Sequence, residues 1–314
     1  MIVLCCDLGG TRVKIGVVQD GRVLAQTEEV VDSKKGVRPV LAVLRNAWAH
    51  LLQRLNITPD ICSGISLAFP SLMDNRGRVL DAFGKYPDAV EVDFRLWARN
   101  EFNLPLAIDN DARMALIGEW KHGAGRGSDN VVMMTLGTGL GTAAVIEGRL
   151  LHGAHGQAGV LGGHLSVRYD GRACNCGNIG CAEAEASTAF LEAIAVGLPQ
   201  WHSSFLRGLP LSYAEVFKQA EAGDSCALKL REHSLEVWGT LAVNLIHAYD
   251  PDTIILGGGI MAARDIILPS VTRYVHRHAH TPWGKVRVAA GDLGDAAALL
   301  AGEWLLKEQG RVTE

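Results

Sequence analysis

The chain reads as an α/β protein with two like-folded domains around a central cleft. Two segments about 130 residues apart each run strand, glycine turn, strand and hairpin. The first is built around Asp7-Leu8-Gly9-Gly10-Thr11 and the second around Gly137-Thr138-Gly139-Leu140-Gly141. Helical segments follow the strands in both halves, and 48% hydrophobic residues over 314 positions are enough for one large or two medium cores.

Residues 2–6 are a short apolar run that ends at the first glycine turn. The alternating run 13–18 follows, then the turn Gln19-Asp20-Gly21 and another short strand, 22–25. Residues 37–55 carry apolar positions at helical spacing (Val40, Val43, Leu44, Ala47, Leu51 and Leu55). A further strand, 63–68, enters the turn Phe69-Pro70-Ser71. Residues 106–120 give a strand, an acidic turn at Asp109-Asn110-Asp111 and an amphipathic helix. The plan restarts with a strand at 130–135, the glycine-rich 136–142 and a strand at 143–146 that ends in Glu147-Gly148-Arg149. Helices are expected at 188–196, 213–221 and 227–248, and a strand at 253–256 leads into Gly257-Gly258-Gly259. A last helix begins near 295. The expected domains are 1–112 and 113–294, with the final helix (295–314) packing back on the first.

Composition excludes several classes. Thirty basic against 34 acidic residues give a net charge of -4, with no basic stripe interleaved with aromatics, so nucleic acid is not an expected partner. The start, MIVLCCDLGG, has no basic leader, and its apolar run is cut by Asp7. No uncharged stretch approaches the length of a spanning helix. The expectation is a cytoplasmic protein without membrane association. An odd total of seven cysteines argues against a disulfide framework.

Three of those seven cysteines fall between 174 and 181, in C-N-C-G-N-I-G-C, after His164. His164, Cys174, Cys176 and Cys181 make the thiolate and imidazole set of a tetrahedral zinc site. Four protein ligands leave no open position, so a structural zinc is expected. The alternative is three free thiols in a glycine-rich loop near an unrelated histidine.

The run Gly137–Gly141 is not a dinucleotide fingerprint, because its spacing is G-x-G-x-G and a strand, not a helix, follows. No G-x-x-x-x-G-K-[ST] loop occurs either. Glycine turns between antiparallel strands bring backbone N–H groups close to an anion, and Asp7 beside the first can hold magnesium. Each turn alone reads equally well as a plain hairpin. The matched pair favours phosphate binding.

D-L-G-G-T, L-G-T-G-L-G-T, L-G-G-G-I (residues 256–260) and C-N-C-G-N-I-G-C-A-E together resemble the ROK family (repressors, open reading frames and sugar kinases). That family belongs to the actin-like ATPase superfamily, and the resemblance implies two actin-like (ribonuclease H-like) domains. It implies ATP and Mg2+ as cofactors beside the zinc, and contacts to phosphate and metal from Asp7, Gly9, Gly10 and Thr11. Gly137, Thr138 and Gly139 are implied as the second phosphate turn, and Gly257, Gly258 and Gly259 as the residues flanking adenosine. Read from the residues alone, the triple glycine is an ordinary strand-to-helix turn.

By the same resemblance Asn110 binds sugar hydroxyls and Asp111 is the general base, although either residue equally suits a helix cap. His164 is implied as a sugar contact as well as a zinc ligand, and Glu183 as a sugar-binding carboxylate. Read without the resemblance, Glu183 and Glu185 are solvated loop residues.

Two segments depart from the family pattern. Sugar kinases of the family carry E-x-G-H, whereas this chain has Leu161-Gly162-Gly163-His164. Residues 81–87 (D-A-F-G-K-Y-P) also differ from the usual asparagine- and proline-containing loop. The expected function is an ATP-dependent carbohydrate kinase acting on a hexose hydroxyl, the 6-hydroxyl first, in a homodimer or homotetramer. The alternatives are a sugar-binding or regulatory protein without efficient turnover, and a sugar-sensing repressor. The latter is disfavoured because Asp7 leaves no room before it for a DNA-binding module.

Overall fold

The computed structural model describes residues 1–311, which contain two five-stranded mixed sheets and a small two-stranded one. The part of the expected last helix at 312–314 lies outside the described residues.

The first sheet has the order β3-β2-β1-β4-β7. β1 (Ile2–Leu8), β2 (Arg12–Gln19) and β3 (Arg22–Val30) form an antiparallel meander, and α1 (Arg38–Leu55) follows. β4 (Cys62–Phe69) adds to β1 in parallel. After the small hairpin β5 (Leu72–Met73) and β6 (Val79–Asp81) and the helix α2 (Phe94–Phe102), β7 (Leu106–Asn110) adds to β4 in parallel. α3 (Asp111–His122) starts at the next residue.

β8 (Val131–Leu136) and β9 (Leu140–Ile146) open the second five-stranded sheet as an antiparallel pair, with β10 (Arg149–Leu150) at its edge. The helices α4 (Ala182–Ala186), α5 (Leu191–Val196), α6 (Tyr213–Glu221) and α7 (Ser225–Tyr249) intervene. β11 (Thr253–Gly257) then pairs with β8 in parallel, α8 (Arg264–His278) follows, and β12 (Arg287–Ala290) pairs with β11 in parallel. The order β10-β9-β8-β11-β12 repeats that of the first sheet. The internal repeat in the sequence is therefore a repeat of topology.

The chain separates into two compact units. The first comprises Met1–Gly127, Leu150–Ala158 and Asp292–Glu314; the second comprises Ser128–Arg149 and Gly159–Gly291. In the first unit the apolar face of α1 (Val40, Leu41, Leu44, Trp48, Leu51) meets Leu4, Cys6, Ile15 and Val17 from the strands. On the other face of the sheet Val3, Cys5 and Val18 pack with Ile117, Leu299, Leu305 and Leu306. In the second unit the long helix α7 buries Leu230, Trp238, Leu241 and Leu245. Its N-terminus is capped by Asp224, which accepts from the Cys226 and Ala227 N–H groups at 2.9 Å.

The expected last helix is divided into a 3-10 turn, α9 (Ala297–Leu300) and α10 (Gly302–Arg311). The expected helix at 188–196 begins as a 3-10 turn and becomes α5 only at Leu191. Periodicity did not reveal α2, α8 or β12, which are short or mixed in pattern. Among the described residues no helix is long and apolar enough to cross a membrane.

α3 and α9 cross closely at Gly118, where an added Cβ would lie 2.0 Å from the Ala297 carbonyl oxygen. That neighbour is backbone and cannot rotate away. Gly118→Ala is expected to lower unfolding stability by about 1–3 kcal/mol, as overpacking a tight contact does. Urea denaturation with an unchanged m-value would check it, and a loss too small to measure would mean the helices separate at no cost.

Candidate active site

The first unit gathers its polar residues at the carboxyl ends of β1, β4 and β7, where open α/β sheets place their ligands. Asp7 is the penultimate residue of β1, paired in register with Ala68, and Ala68 is paired with Asp109. Beyond Asp7 the Gly9 N–H donates to the Arg12 carbonyl at 2.9 Å, and the Gly10 carbonyl accepts from Ser33 at 3.0 Å. The Thr11 carbonyl accepts from Val31 at 2.9 Å, so the whole Gly9-Gly10-Thr11 turn is held from both sides. Asp7 is recessed, and burial pushes its carboxyl up to about 6, against the pull of Lys14 and with reinforcement from Asp111 and Asp295.

Asn110 and Asp111 stand where β7 passes into α3. The Asn110 side chain accepts from Ala112 and Arg113 N–H groups at 3.0 and 3.3 Å, and its amide donates to the Ser71 carbonyl and to Asp111 Oδ1. It therefore caps the helix, as its residue type allows. Asp111 Oδ1 also accepts from the Ala112 N–H at 2.9 Å. Burial raises the Asp111 carboxyl above the usual carboxylate range; the charge of Lys85 is the strongest counterweight, followed by hydrogen bonds from the backbone and from Asn110.

Beneath this pair lies an ionic network that the sequence reading missed. Arg113 is 1% exposed and Asp109 3%. The guanidinium donates to Asp109 at 3.1 Å and to the carbonyls of Gly156 and Ala158 at 2.9 Å, while His152 lies 3.0 Å from the other Asp109 oxygen. Burial alone would raise Asp109, but the His152 hydrogen bond and the Arg113 charge outweigh it and hold the carboxyl below its usual range. The network ties residues 150–158 to the start of α3. No spacing in the sequence links His152 to Asp109.

In the second unit Gly137, Thr138 and Gly139 join β8 to β9, with the Gly137 N–H donating to the Gly139 carbonyl at 3.0 Å. The turn is held from outside by the segment that follows α4. Thr188 and Ala189 N–H groups donate to the carbonyls of Gly137 and Thr138 at 3.1 and 3.0 Å, and Glu183 accepts from the Leu140 N–H at 2.9 Å. Gly257, at the end of β11, is level with Thr135 of β8, so Gly258 and Gly259 follow beside the same turn.

The four zinc-ligand candidates come together. Their ligand atoms all lie within 4.8 Å of one another. Cys174 Sγ is 3.6 Å from His164 Nδ1, and Cys176 Sγ is 3.7 Å from Cys181 Sγ. Tetrahedral zinc with bonds near 2.3 Å has sulfur–sulfur edges of about 3.8 Å, so the spacing fits the ion. Two contacts make this arrangement possible. Gly163 presses on β9, where a Cβ would meet the Leu140 carbonyl at 1.9 Å, and the Gly162 N–H donates to Thr142 Oγ1 at 2.8 Å. Burial raises the Cys174 and Cys181 thiols.

The reading of Glu185 as a solvated residue is corrected. It is fully buried, accepts from the Arg172 backbone and guanidinium at 2.7 and 2.8 Å, and faces His233 at 3.5 Å. Glu183 is half-buried on the opposite side of the short helix. Leu161 precedes the turn that carries His164, and no carboxylate takes its place within that turn.

The ROK family matches this chain over residues 3–309. A glucokinase of Halalkalibacterium halodurans is 31% identical over 320 residues, covering 96% of this chain and 94% of that protein. The crystal structure of a ROK family glucokinase from Streptomyces griseus in complex with glucose and AMPPNP superposes with a TM-score of 0.81 at 26% identity, over 97% of this chain and 99% of that one. A ROK hexokinase from Thermus thermophilus gives 0.78 at 28% identity, over 99% and 100%. With the duplicated actin-like sheets, the paired glycine turns and the cysteine cluster, these similarities lead to one conclusion: the chain belongs to the ROK family.

Proposed function

We propose that this chain is an ATP- and magnesium-dependent carbohydrate kinase that phosphorylates a hexose hydroxyl, the 6-hydroxyl in the first instance. Asp111 is its general base. The similarity to glucokinases supports the reaction class. The observation that carries the assignment of the base is the setting of Asp111: recessed, fixed by Asn110, and close enough to Asp7 of the first glycine turn for its charge to help raise the Asp7 carboxyl.

The sugar hydroxyl oxygen attacks the γ-phosphorus, the bond to the β,γ-bridging oxygen breaks, and ADP departs. The hydroxyl proton passes to Asp111. Such transition states are loose, so positioning and charge neutralisation dominate. Asp111 need not be a strong base, because the hydroxyl becomes acidic only as its bond to phosphorus forms. Asn110, His164 and Glu183 are proposed to bind sugar hydroxyls. Gly10, Thr11, Thr138 and Gly139 are proposed to offer backbone N–H groups to the phosphates, with Gly9 and Gly137, whose own N–H groups bond to the Arg12 and Gly139 carbonyls, shaping the two turns, and Gly257–Gly259 to flank the adenosine. Magnesium held through water at Asp7 would supply further charge neutralisation to the phosphates. Zinc at His164, Cys174, Cys176 and Cys181 would have a structural role, joining the loop to α4 and thereby to the Gly137–Gly139 turn.

Sugar-dependent ADP formation should appear when Mg-ATP is offered with a panel of hexoses, N-acetylhexosamines and ketohexoses. Asp111→Asn should lower kcat by roughly 10²- to 10⁴-fold, the usual weight of a general base. Folded, zinc-replete protein that turns over no sugar would remove the kinase reading.

The pH dependence has a definite sign. A protonated Asp111 cannot accept the hydroxyl proton, so kcat/KM is full above its folded pKa and falls as pH drops through it. Because burial raises that carboxyl, the acid limb should lie above the ordinary aspartate value of about 4. A rate that stays flat down to that value would contradict the assignment.

Freshly purified protein should contain about one equivalent of zinc per chain, and stripping the metal should lower Tm. Less than about half an equivalent with all four ligands reduced would count against the site.

A further inference from the structure

We propose that Lys85 is a further catalytic residue of this chain, the side-chain cation that neutralises the γ-phosphoryl group as it passes to the acceptor hydroxyl. The proposal rests on the kinase reading above and goes beyond it, because nothing in the glycine turns or the cysteine loop points to this lysine.

Lys85 lies in the loop between β6 and α2, the segment whose sequence departs from the family pattern. The loop is held in an unusual backbone. Phe83, Gly84 and Tyr86 all have left-handed φ angles, of 50°, 76° and 49°. Side-chain-bearing residues rarely adopt that region, and where they do the surrounding structure must hold them there.

The restraints on this loop lead to the first phosphate turn. Tyr86 is fully buried, packs against Phe69 with the rings tilted and their centres 5.3 Å apart, and donates its hydroxyl to the Gly9 carbonyl at 2.5 Å. Its N–H donates to the Ser33 carbonyl at 2.9 Å, and the Ser33 N–H donates in turn to the Gly10 carbonyl. On the far side Asp88 accepts from the Val37 and Arg38 N–H groups at the start of α1. The Lys85 N–H is itself bonded to the Ala82 carbonyl at 2.9 Å. Loop and turn are thus built as one piece.

This places the Lys85 side chain over Gly10. Its Cε and Cδ lie 3.8 and 3.9 Å from the point where a Cβ on Gly10 would stand. Lys85 is half-buried, and among the described residues no ion pair includes it. The neighbouring lysine is different: Lys14 pairs with Asp295 at 2.5 Å and lies 4.0 Å from Asp7. Of these two lysines, Lys85 is the one that no ion pair among the described residues engages. It sits over the turn assigned to phosphate, and its charge reaches Asp111, the group assigned to take the hydroxyl proton. The group that must lie between a phosphate turn and the base of phosphoryl transfer is the γ-phosphoryl in flight. A fixed cation there stabilises charge as it redistributes in the transition state, at no reorganisation cost. The ammonium makes and breaks no covalent bond in the step.

The test is steady-state kinetics on the full chain with Mg-ATP and the best sugar of the panel, comparing wild type with Lys85→Met, Lys85→Gln and Lys85→Arg, alongside their melting temperatures. Both neutral variants should lose about 10²-fold or more in kcat, the typical effect of deleting one transition-state donor. Their KM values for ATP and sugar should stay within about threefold of wild type and Tm should be unchanged, because loss of an interaction made in the transition state falls on kcat. Lys85→Arg should recover a substantial part of the rate, since it restores the charge. A neutral variant with kcat near wild type overturns the proposal. So does a loss confined to the KM for sugar, which would make Lys85 an acceptor-binding residue. Wild-type protein that turns over no sugar overturns both this proposal and the kinase reading; active wild type with an undiminished Lys85→Gln overturns only this one.

Discussion

The parallel register of β1, β4 and β7 is the constraint on which the first unit depends. It sets Asp7 level with Ala68, Ala68 level with Asp109, and Phe69 level with Asn110. Adjacent strands are about 4.8 Å apart, so residues two strands away at one level are separated by roughly 10 Å. A glycine turn leaves the end of β1 and a helix leaves the end of β7. The carboxylates at those two ends therefore face a common space, and their mutual repulsion follows directly from the register.

Burial sets the electrostatics here, with that repulsion adding to it at Asp7. Asp7, Asp111 and Asp295 gather in one region, with Lys14 and Lys85 as the nearby cations. Desolvation favours the neutral acids, while the lysines favour the ionised ones. The balance leaves both Asp7 and Asp111 above the usual range. The deeper pair of Arg113 and Asp109 behaves differently. Its charges compensate each other and carry the carbonyls of Gly156 and Ala158 with them, so it acts as a fastening for the chain rather than as a receptor.

In the second unit the short helix α4 connects two features that look independent in the sequence. Its first turn follows Cys181, and its side chains reach opposite ways: Glu185 inward to Arg172 and His233, Glu183 outward to the Leu140 N–H. Trp238 of α7 donates to the Ala186 carbonyl at 3.0 Å and closes the other end. The metal-ligand loop thus bears on the geometry of the Gly137–Gly139 turn through a few fixed hydrogen bonds. Glu183, expected at the sugar, already has a backbone donor, and its carboxylate has further lone pairs for hydroxyls.

The sequence by itself determined what depends on short-range pattern. Alternating apolar runs broken by glycine marked the two hairpins and their repetition. The spacing of Cys174, Cys176 and Cys181 marked the metal cluster, because ligands that share one ion must lie on a tight loop. The acidic run Asp109-Asn110-Asp111 reads from the sequence as a turn, whereas Asp109 and Asn110 end β7 and Asp111 begins α3 directly, and the three face different partners. Only the tertiary structure decided the rest. Lys85 meets the Gly10 turn through a loop packed on Phe69, His152 meets Asp109 across a long stretch of chain, and Glu185 is buried although a carboxylate beside the cysteine loop reads from the sequence as solvated. These contacts join residues with no periodic relation along the chain. Electrostatic and packing partners are chosen by distance in space, and that distance is set by strand order and register rather than by local sequence.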